Sequence, residues 1–450
     1  MSVGIPSRLD YAFSAVGRAR RSCRIRIAAA GCAAYRRAVT LTTPSRSLSA
    51  CAVGALIAVC GVAADARAQE TTAPPASRTA AIEQAQAQKA TALHPFEPGK
   101  VEETLDRVED LLVSGRLHVH PFFQSAYAGG GFTLGAGYIT HVSSYNLLDL
   151  RGSFTFSGYK RIEAAFMAPR FLDRHATLTL LGGWREATQV GFYGIGTENT
   201  SKQDRANYSF DQPYGAAEIA FRPTRKVFAL LAGAEISQWN QGAGSGSAPS
   251  VDEVYTPATL QGLDSNPVYL HTHAGGAIDW RPSPGYARTG GAYSIVFHDF
   301  RDQDEAFGFR RTDYDVVQHV PVMRDAWVLS LHGRLELANA ADGQVIPFFM
   351  LPALGGGSSL RGFPSWRFRD LNSLLLQADW RVLANRFLDM ALFYDAGPVS
   401  ARRSDLASGQ LKSDYGIGFR LHSPLATPLR IEFAKSNEGL ALVFSSKAAF

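Results

Sequence analysis

The chain has 450 residues, 46% hydrophobic and 11% aromatic, enough for a large core, and carries a formal net charge of +5. No 18-residue apolar run occurs after residue 65, which excludes a helical span in the mature chain. Much of the basic excess sits early, in GRARRSCRIR and YRRAV, so the charge is poor ground for nucleic-acid binding and no nucleic-acid partner is expected.

Residues 1–68 read as a signal peptide with a long n-region. Arginines precede the apolar stretch ACAVGALIAVCGVAA (50–64), and ADARAQE follows, with small residues at Ala66 and Ala68 and cleavage expected after Ala68. LSAC at 48–51 resembles a lipoprotein box but precedes the apolar stretch instead of ending it. All four cysteines (Cys23, Cys32, Cys51 and Cys60) lie in this region, so a disulfide framework or thiolate metal site is excluded beyond it. Residues 69–96 are rich in Ala, Gln, Thr and Pro and read as a disordered linker. Residues 97–116 predict a short periplasmic helix, with Val101, Leu105, Val108 and Leu112 at helical spacing and Gly115 placed to stop it.

From residue 117 to 450 the pattern changes to period two. In NLLDLRGSFTFSG, Leu148, Leu150, Phe154 and Phe156 alternate with Asp149, Arg151, Ser153 and Thr155. In SLLLQADWRVL, Leu374, Leu376, Ala378, Trp380 and Val382 alternate with Gln377, Asp379 and Arg381. One face is apolar and often aromatic, the other charged. A soluble sandwich also alternates, but its strands are shorter and its charged face meets bulk water. Here the segments run to roughly ten to fifteen residues, long enough to cross a bilayer at a tilt, and an export signal precedes them. The fold class predicted is all-β: a transmembrane antiparallel barrel of about sixteen strands, apolar face to lipid and charged face to the lumen.

The strands are placed at 117–127, 131–142, 146–158, 160–170, 175–187, 206–222, 226–240, 267–282, 289–300, 307–320, 324–339, 372–384, 387–398, 411–423, 427–436 and 440–450. The long connections 188–205, 241–266, 340–371 and 399–410 all follow odd-numbered strands, which puts them on one face, the outer one. Leu440, Leu442, Phe444, Ala448 and Phe450 alternate to a terminal aromatic.

One connection is unlike a linker. GGGSSLRGFPSW (355–366) carries Leu, Arg, Phe and Trp at a density that flexible linkers avoid. The following strands place Asp379 beside Gln377 and Arg381, and Asp395 beside Phe393 and Gly397, both on the inward face. Arg361 can bridge the two carboxylates with its planar fork, and Gly362 allows close backbone approach or positive φ. The triple glycine opens no phosphate loop, since no Gly-Lys-Ser/Thr and no helix follow it. His271 and His273 share a strand face, but partly filled polar lumens hold such pairs without an ion, and no metal and no cofactor is assigned.

Gly355–Gly356, Leu360–Phe363, Asp379–Arg381, Phe393–Gly397 and the terminal Phe450 together resemble the bacterial surface antigen superfamily, as does FYGIGTENTSKQDR (192–205). That family takes in the BamA and TamA assembly barrels and the two-partner secretion transporters. The resemblance implies that the loop bearing Leu360, Arg361, Gly362 and Phe363 folds back inside the barrel, and that Phe450 is a signal read by the barrel-assembly machinery. It further implies a Gram-negative outer-membrane protein in contact with membrane lipid. Residues 69–116 are too short for one βααββ POTRA module, so a POTRA-less member is expected. The function expected is insertion or translocation of protein or lipid, with an unidentified client. The alternative is a gated channel for small solutes. No Ser or Asp–His pair marks a catalytic rim, and no enzyme is expected.

Overall fold

The structure is a computed structural model that describes residues 77, 79, 82–83, 85–86 and 118–450, apart from 198–200, 225–226 and 324–325. The expected signal peptide and the 97–116 helix lie outside the described residues. Within the segment read as a disordered linker, Thr79, Ile82, Glu83, Ala85 and Gln86 are helical. Its Ala- and Gln-rich composition favours helix more than its low hydrophobicity suggests.

The rest forms one antiparallel sheet of eighteen strands. Two of them, Asn240–Ala243 and Val399–Ser400, continue the strand before them after a break. Sixteen positions remain, paired in chain order. They are β1 (Val119–Pro121), β2 (Thr133–His141), β3 (Leu147–Thr155), β4 (Lys160–Arg170), β5 (Ala176–Phe192), β6 (Ala206–Phe221), β7 (Phe228–Gln238) and β8 (Val268–Asp279). The second half is β9 (Gly290–Asp302), β10 (Phe309–Met323), β11 (Trp327–Ala340), β12 (Asn372–Asn385), β13 (Leu388–Gly397), β14 (Lys412–Leu421), β15 (Leu429–Ser436) and β16 (Gly439–Ser445). The two breaks have different causes. Trp239 turns inward against Phe210 and Phe349. Pro398 has no N–H to give to a ladder.

The ends of the sheet differ from expectation. β1 is a ladder of only three residues. After Phe122 N–H donates to Gly135 O at 2.9 Å, the chain leaves β2, and Phe122, Ala126 and Tyr127 are buried on the inner side. β16 stops at Ser445, which pairs with Arg430 near the start of β15. The next potential partner beyond Leu429 is Pro428, which cannot donate. Among the described residues no ladder joins β16 to β1.

Polarity is inverted relative to a water-soluble sheet. Leu150, Phe154, Leu392, Tyr415, Leu440 and Phe444 are exposed, whereas Arg151, Glu163, Asp379, Arg381, Arg420 and Glu432 are buried. Buried charges persist only when paired or hydrogen-bonded: five of these stand in ion pairs, and Arg381 donates to Ala287 O. Glu163 accepts from Arg151 Nε at 2.5 Å and from Arg161 Nη2 at 2.5 Å. The expectation of a charged inner face is met strand by strand in β11, where Ser330, His332 and Glu336 are buried and Trp327 and Leu331 exposed. A sandwich, with its charged face in water, does not fit this burial.

The long connections all leave odd-numbered strands and so lie at one edge of the sheet. The sheet curves around the longest, between Ala340 and Asn372. Side chains from Tyr127, Tyr208 and Trp239 on one side to Asp395 and Glu432 on the other meet residues of this loop or the cluster it packs into.

Tight inter-strand contacts give a direct check. A Cβ on Gly416 would stand 2.0 Å from Phe433 O and 2.5 Å from the Phe393 ring, whereas one on Gly182 would meet nothing within 4 Å. Gly416→Ala is expected to destabilise the fold by about 1–3 kcal/mol and Gly182→Ala to be near neutral. The temperature at which heat-modifiable migration is lost in gel electrophoresis checks both.

Candidate functional site

The loop is built in two parts. At its base Ala353–Leu354 pairs with Phe368–Arg369 as a short antiparallel ladder. Its tip, 355–366, reverses at Gly355 and Gly356, whose φ values of +116° and +97° disfavour other residues. Gly356 N–H donates to both Leu360 O and Phe363 O at 3.1 Å, which closes the tip into a compact turn. Leu360 and Phe363 then pack with Leu354, Phe368, Leu375 and Val399. Gly362 is needed for close approach instead of a special φ: a Cβ there would stand 2.6 Å from Asp414 Cβ.

The turn aims Arg361 into the sheet's inner face, where it is 1% exposed. Its Nε and Nη2 donate to the two oxygens of Asp395, each at 2.6 Å, as a bidentate fork. Nη2 also donates to Asp379 Oδ1 at 2.8 Å, and Nη1 to Glu432 Oε1 at 3.0 Å. The guanidinium carbon lies 3.7 Å from the Phe393 ring centroid. Burial pulls the arginine pKa down, but Asp379, Asp395 and Glu432 outweigh it and hold the group well above its ordinary value. Arg361 is therefore charged at any working pH.

Asp379 and Asp395 come together because β12 and β13 are neighbours in register, with Gln377 opposite Asp395. Gln377 Nε2 donates to Asp395 Oδ1 at 3.1 Å and to Ser359 O at 2.8 Å, tying the tip to the sheet a second time. Ser436 Oγ donates to Gly362 O at 2.8 Å, and Arg430 Nη2 to Gly357 O at 3.0 Å.

Three members of this cluster escape the sequence reading: Glu432, Arg420 and Arg430. Arg420 Nη2 donates to Asp379 Oδ2 and, at 3.1 Å, to Glu432 Oε1. Asp414, opposite Asp395 across β13 and β14, is a further buried carboxylate beneath Gly362. The alternation of LRIEFAKS already puts Arg430 and Glu432 on the inward face. Their height relative to Arg361 depends on the β14–β15 register, which alternation alone does not supply.

The loop base has its own anchors. Trp366 stacks on Tyr127 at 4.4 Å and donates from Nε1 to Ala128 O at 2.9 Å. Arg367 pairs with Glu438 through Nε at 2.9 Å. Arg369 is fully buried and donates to Tyr208 Oη at 3.0 Å and Phe348 O at 3.3 Å. Above the base, at the edge of the long loops, lies a cavity of about 750 Å³ lined by Tyr193, Arg205, Tyr255, Asp370 and Asp405 among others.

Phe450 borders this cluster through His332, whose Nδ1 lies 2.7 Å from Gln377 Oε1. The alternation expected to run through it ends with β16, and its ring stacks on His332 at 5.1 Å and His319 at 6.3 Å. Both histidines belong to the buried inner face. The last residue thus turns inward, where the expected strand would have carried it along the sheet edge.

Removing Arg361 takes the bidentate guanidinium from buried Asp395 and leaves Asp379 and Glu432 to Arg420 and Arg430, a loss of about 3 kcal/mol from the loop's attachment. Arg361→Ala is expected to release the tip while the ladders stay paired. Cysteine at Ser359 reports on this, because no native cysteine follows Cys60 and Ser359 is buried. A bulky maleimide should label Ser359→Cys slowly in the otherwise unchanged protein and readily beside Arg361→Ala. Arg361→Lys should label at an intermediate rate, since a point charge cannot reproduce the bidentate fork. Equal labelling in all three would mean that Arg361 does not hold the tip.

Residues 289–439 match the model of the Omp85 superfamily domain. Among solved structures the chain is similar to BamA from Haemophilus ducreyi lacking POTRA domains 1–3, at 14% identity and a TM-score of 0.54, over 73% of this chain and 69% of that one. It is also similar to CdiB from Escherichia coli at 12% identity and a TM-score of 0.49, over 72% of this chain and 61% of that one. CdiB from Acinetobacter baumannii matches at 10% identity and a TM-score of 0.46, over 70% and 55% of the two chains. The chain thus spans less than two thirds of either CdiB structure. No curated protein sequence matches it. At these identities the BamA likeness is one of fold, and the segment matching the Omp85 superfamily domain contains Arg361 and every carboxylate that it bonds.

Proposed function

We propose that the chain is an outer-membrane β-barrel of the bacterial surface antigen superfamily that acts in insertion or translocation of protein or lipid, with the 341–371 loop as its internal stopper. The observation that carries this reading is the Arg361 cluster, because it ties the tip of a long outer loop to carboxylates on the inner face of β12, β13 and β15. Support for the membrane setting comes from the exposed apolar face and the paired charges behind it. The match over 289–439 supports the family. The alternative, a gated channel for small solutes, draws on the cavity at the long-loop edge, which offers a vestibule in front of the stopper. No enzymatic chemistry belongs to either reading.

Planar-bilayer recording and depletion separate the two. The unchanged protein should conduct little, and Arg361→Ala should raise the open fraction several-fold. Depletion in the native host, followed by outer-membrane proteomics and lipid analysis, should lower other outer-membrane components if the role is assembly or translocation. Unaltered membrane composition together with solute-selective conductance would shift the assignment to a channel. No change in either experiment would sink both.

Phe450 is proposed as the signal read by the barrel-assembly machinery. Deleting it should reduce the folded, membrane-extracted protein, and Phe450→Trp should restore most of it. If deletion leaves the folded amount unchanged, the ring serves only to pack against His332 and His319.

A further inference from the structure

A second polar cluster lies on β8 and β9, apart from the Arg361 site. The side-chain period of two puts His271 and His273 on one face of β8. The antiparallel register sets His298 of β9 directly opposite His273, so a third imidazole joins that face. One ring nitrogen from each histidine lies within 4.8 Å of the other two. His271 Nε2 and His298 Nδ1 are 2.9 Å apart and share one proton in a hydrogen bond.

The surroundings fix these rings. Phe300 stacks flat on His271, with centroids 4.0 Å apart and planes within 2°. Gly233 of β7, opposite His273, leaves room for that ring: a Cβ there would stand 2.6 Å from it. His298 Nε2 faces Asp313 Oδ2 at 3.3 Å, and Arg311 holds both oxygens of Asp313, at 2.8 and 3.0 Å. Glu218 Oε1 stands 4.0 Å from His273 Nε2. A carboxylate behind an imidazole fixes its tautomer and raises the basicity of the other nitrogen, the usual support for a histidine metal ligand. With Nε2–H of His298 given to Asp313, its Nδ1 lone pair points at His271.

We propose that His271, His273 and His298 bind one divalent transition-metal ion of the Zn²⁺ class on the inner face of the sheet. Imidazole suits such borderline ions, and three imidazoles leave a coordination position for water or a ligand. Binding requires the proton between His271 and His298 to pass to His271 Nδ1, which keeps that imidazole neutral, and the freed Nε2 lone pair becomes a metal bond. The ion would fasten β8 to β9 from within. This inference does not depend on the role of the Arg361 loop.

The test uses the full-length mature protein, purified in detergent without a histidine tag and stripped with chelator. Zn²⁺ is titrated and counted by mass spectrometry after desalting, and Co²⁺ is followed by its visible absorption. One ion per chain is expected. His273→Ala and His298→Ala should each weaken binding more than about a hundredfold, and Asp313→Asn by about 10–100-fold. His118→Ala, outside the cluster, should leave it unchanged. If His298→Ala does not fold, His273→Gln carries the same expectation with less change of volume. Failure of the unchanged protein to hold one equivalent would overturn the assignment. So would binding that survives His271→Ala/His273→Ala or is abolished by His118→Ala.

Discussion

A guanidinium that is 1% exposed must find its charge balanced where it stands, and the arrangement around the loop follows from meeting that need for Arg361. Four acceptor oxygens from Asp379, Asp395 and Glu432 meet its donors. The dependence is mutual. Without Arg361 those three carboxylates would face one another across β12, β13 and β15, with Arg420 and Arg430 as the remaining cations. The loop tip is thus as much a part of the inner face as the strands are. Gly362 permits the approach, and Gln377 and Ser436 secure backbone carbonyls on either side of the charge.

The same logic extends around the sheet. Its inner face is lined by charges in matched groups, such as Arg151, Glu163 and Arg161, and by histidines seated against carboxylates or amides. Its outer face carries the exposed aliphatic and aromatic residues. A chain folding in water would bury the second set and solvate the first. The inversion is stable where lipid covers the outer face and ladder pairing satisfies the backbone.

The loop is attached by two kinds of chemistry. At its tip the hold is chiefly ionic, with Leu360 and Phe363 packed beside it. At its base it is aromatic and hydrophobic, through Trp366, Phe348 and Phe349 packed among Tyr127, Tyr208 and Trp239, with Arg369 buried between them. The ionic contacts weaken when water or a competing charge enters, whereas the aromatic packing at the base responds little to either. A loop so built can release its tip while keeping its base, which is the property a stopper needs.

Much of this was legible in the chain alone. Period-two alternation marked the strand positions and their inward faces, and the placement of long connections after odd strands set the polarity of the meander. Both are local: an extended backbone turns successive side chains to opposite faces whatever surrounds it. Asp379 and Asp395 could be set side by side because they lie on consecutive strands, where the hairpin leaves little freedom of register, and it was the family resemblance that brought the Arg361 loop inward to meet them. The tertiary structure alone decided the remainder. Glu432 and Arg420 join the cluster, His298 joins His271 and His273, the sheet breaks where Trp239 meets Phe349, β1 ends early, and Phe450 turns inward. Each depends on the relative height of strands set by many pairings at once, or on packing against a loop distant in sequence, and alternation carries no record of either.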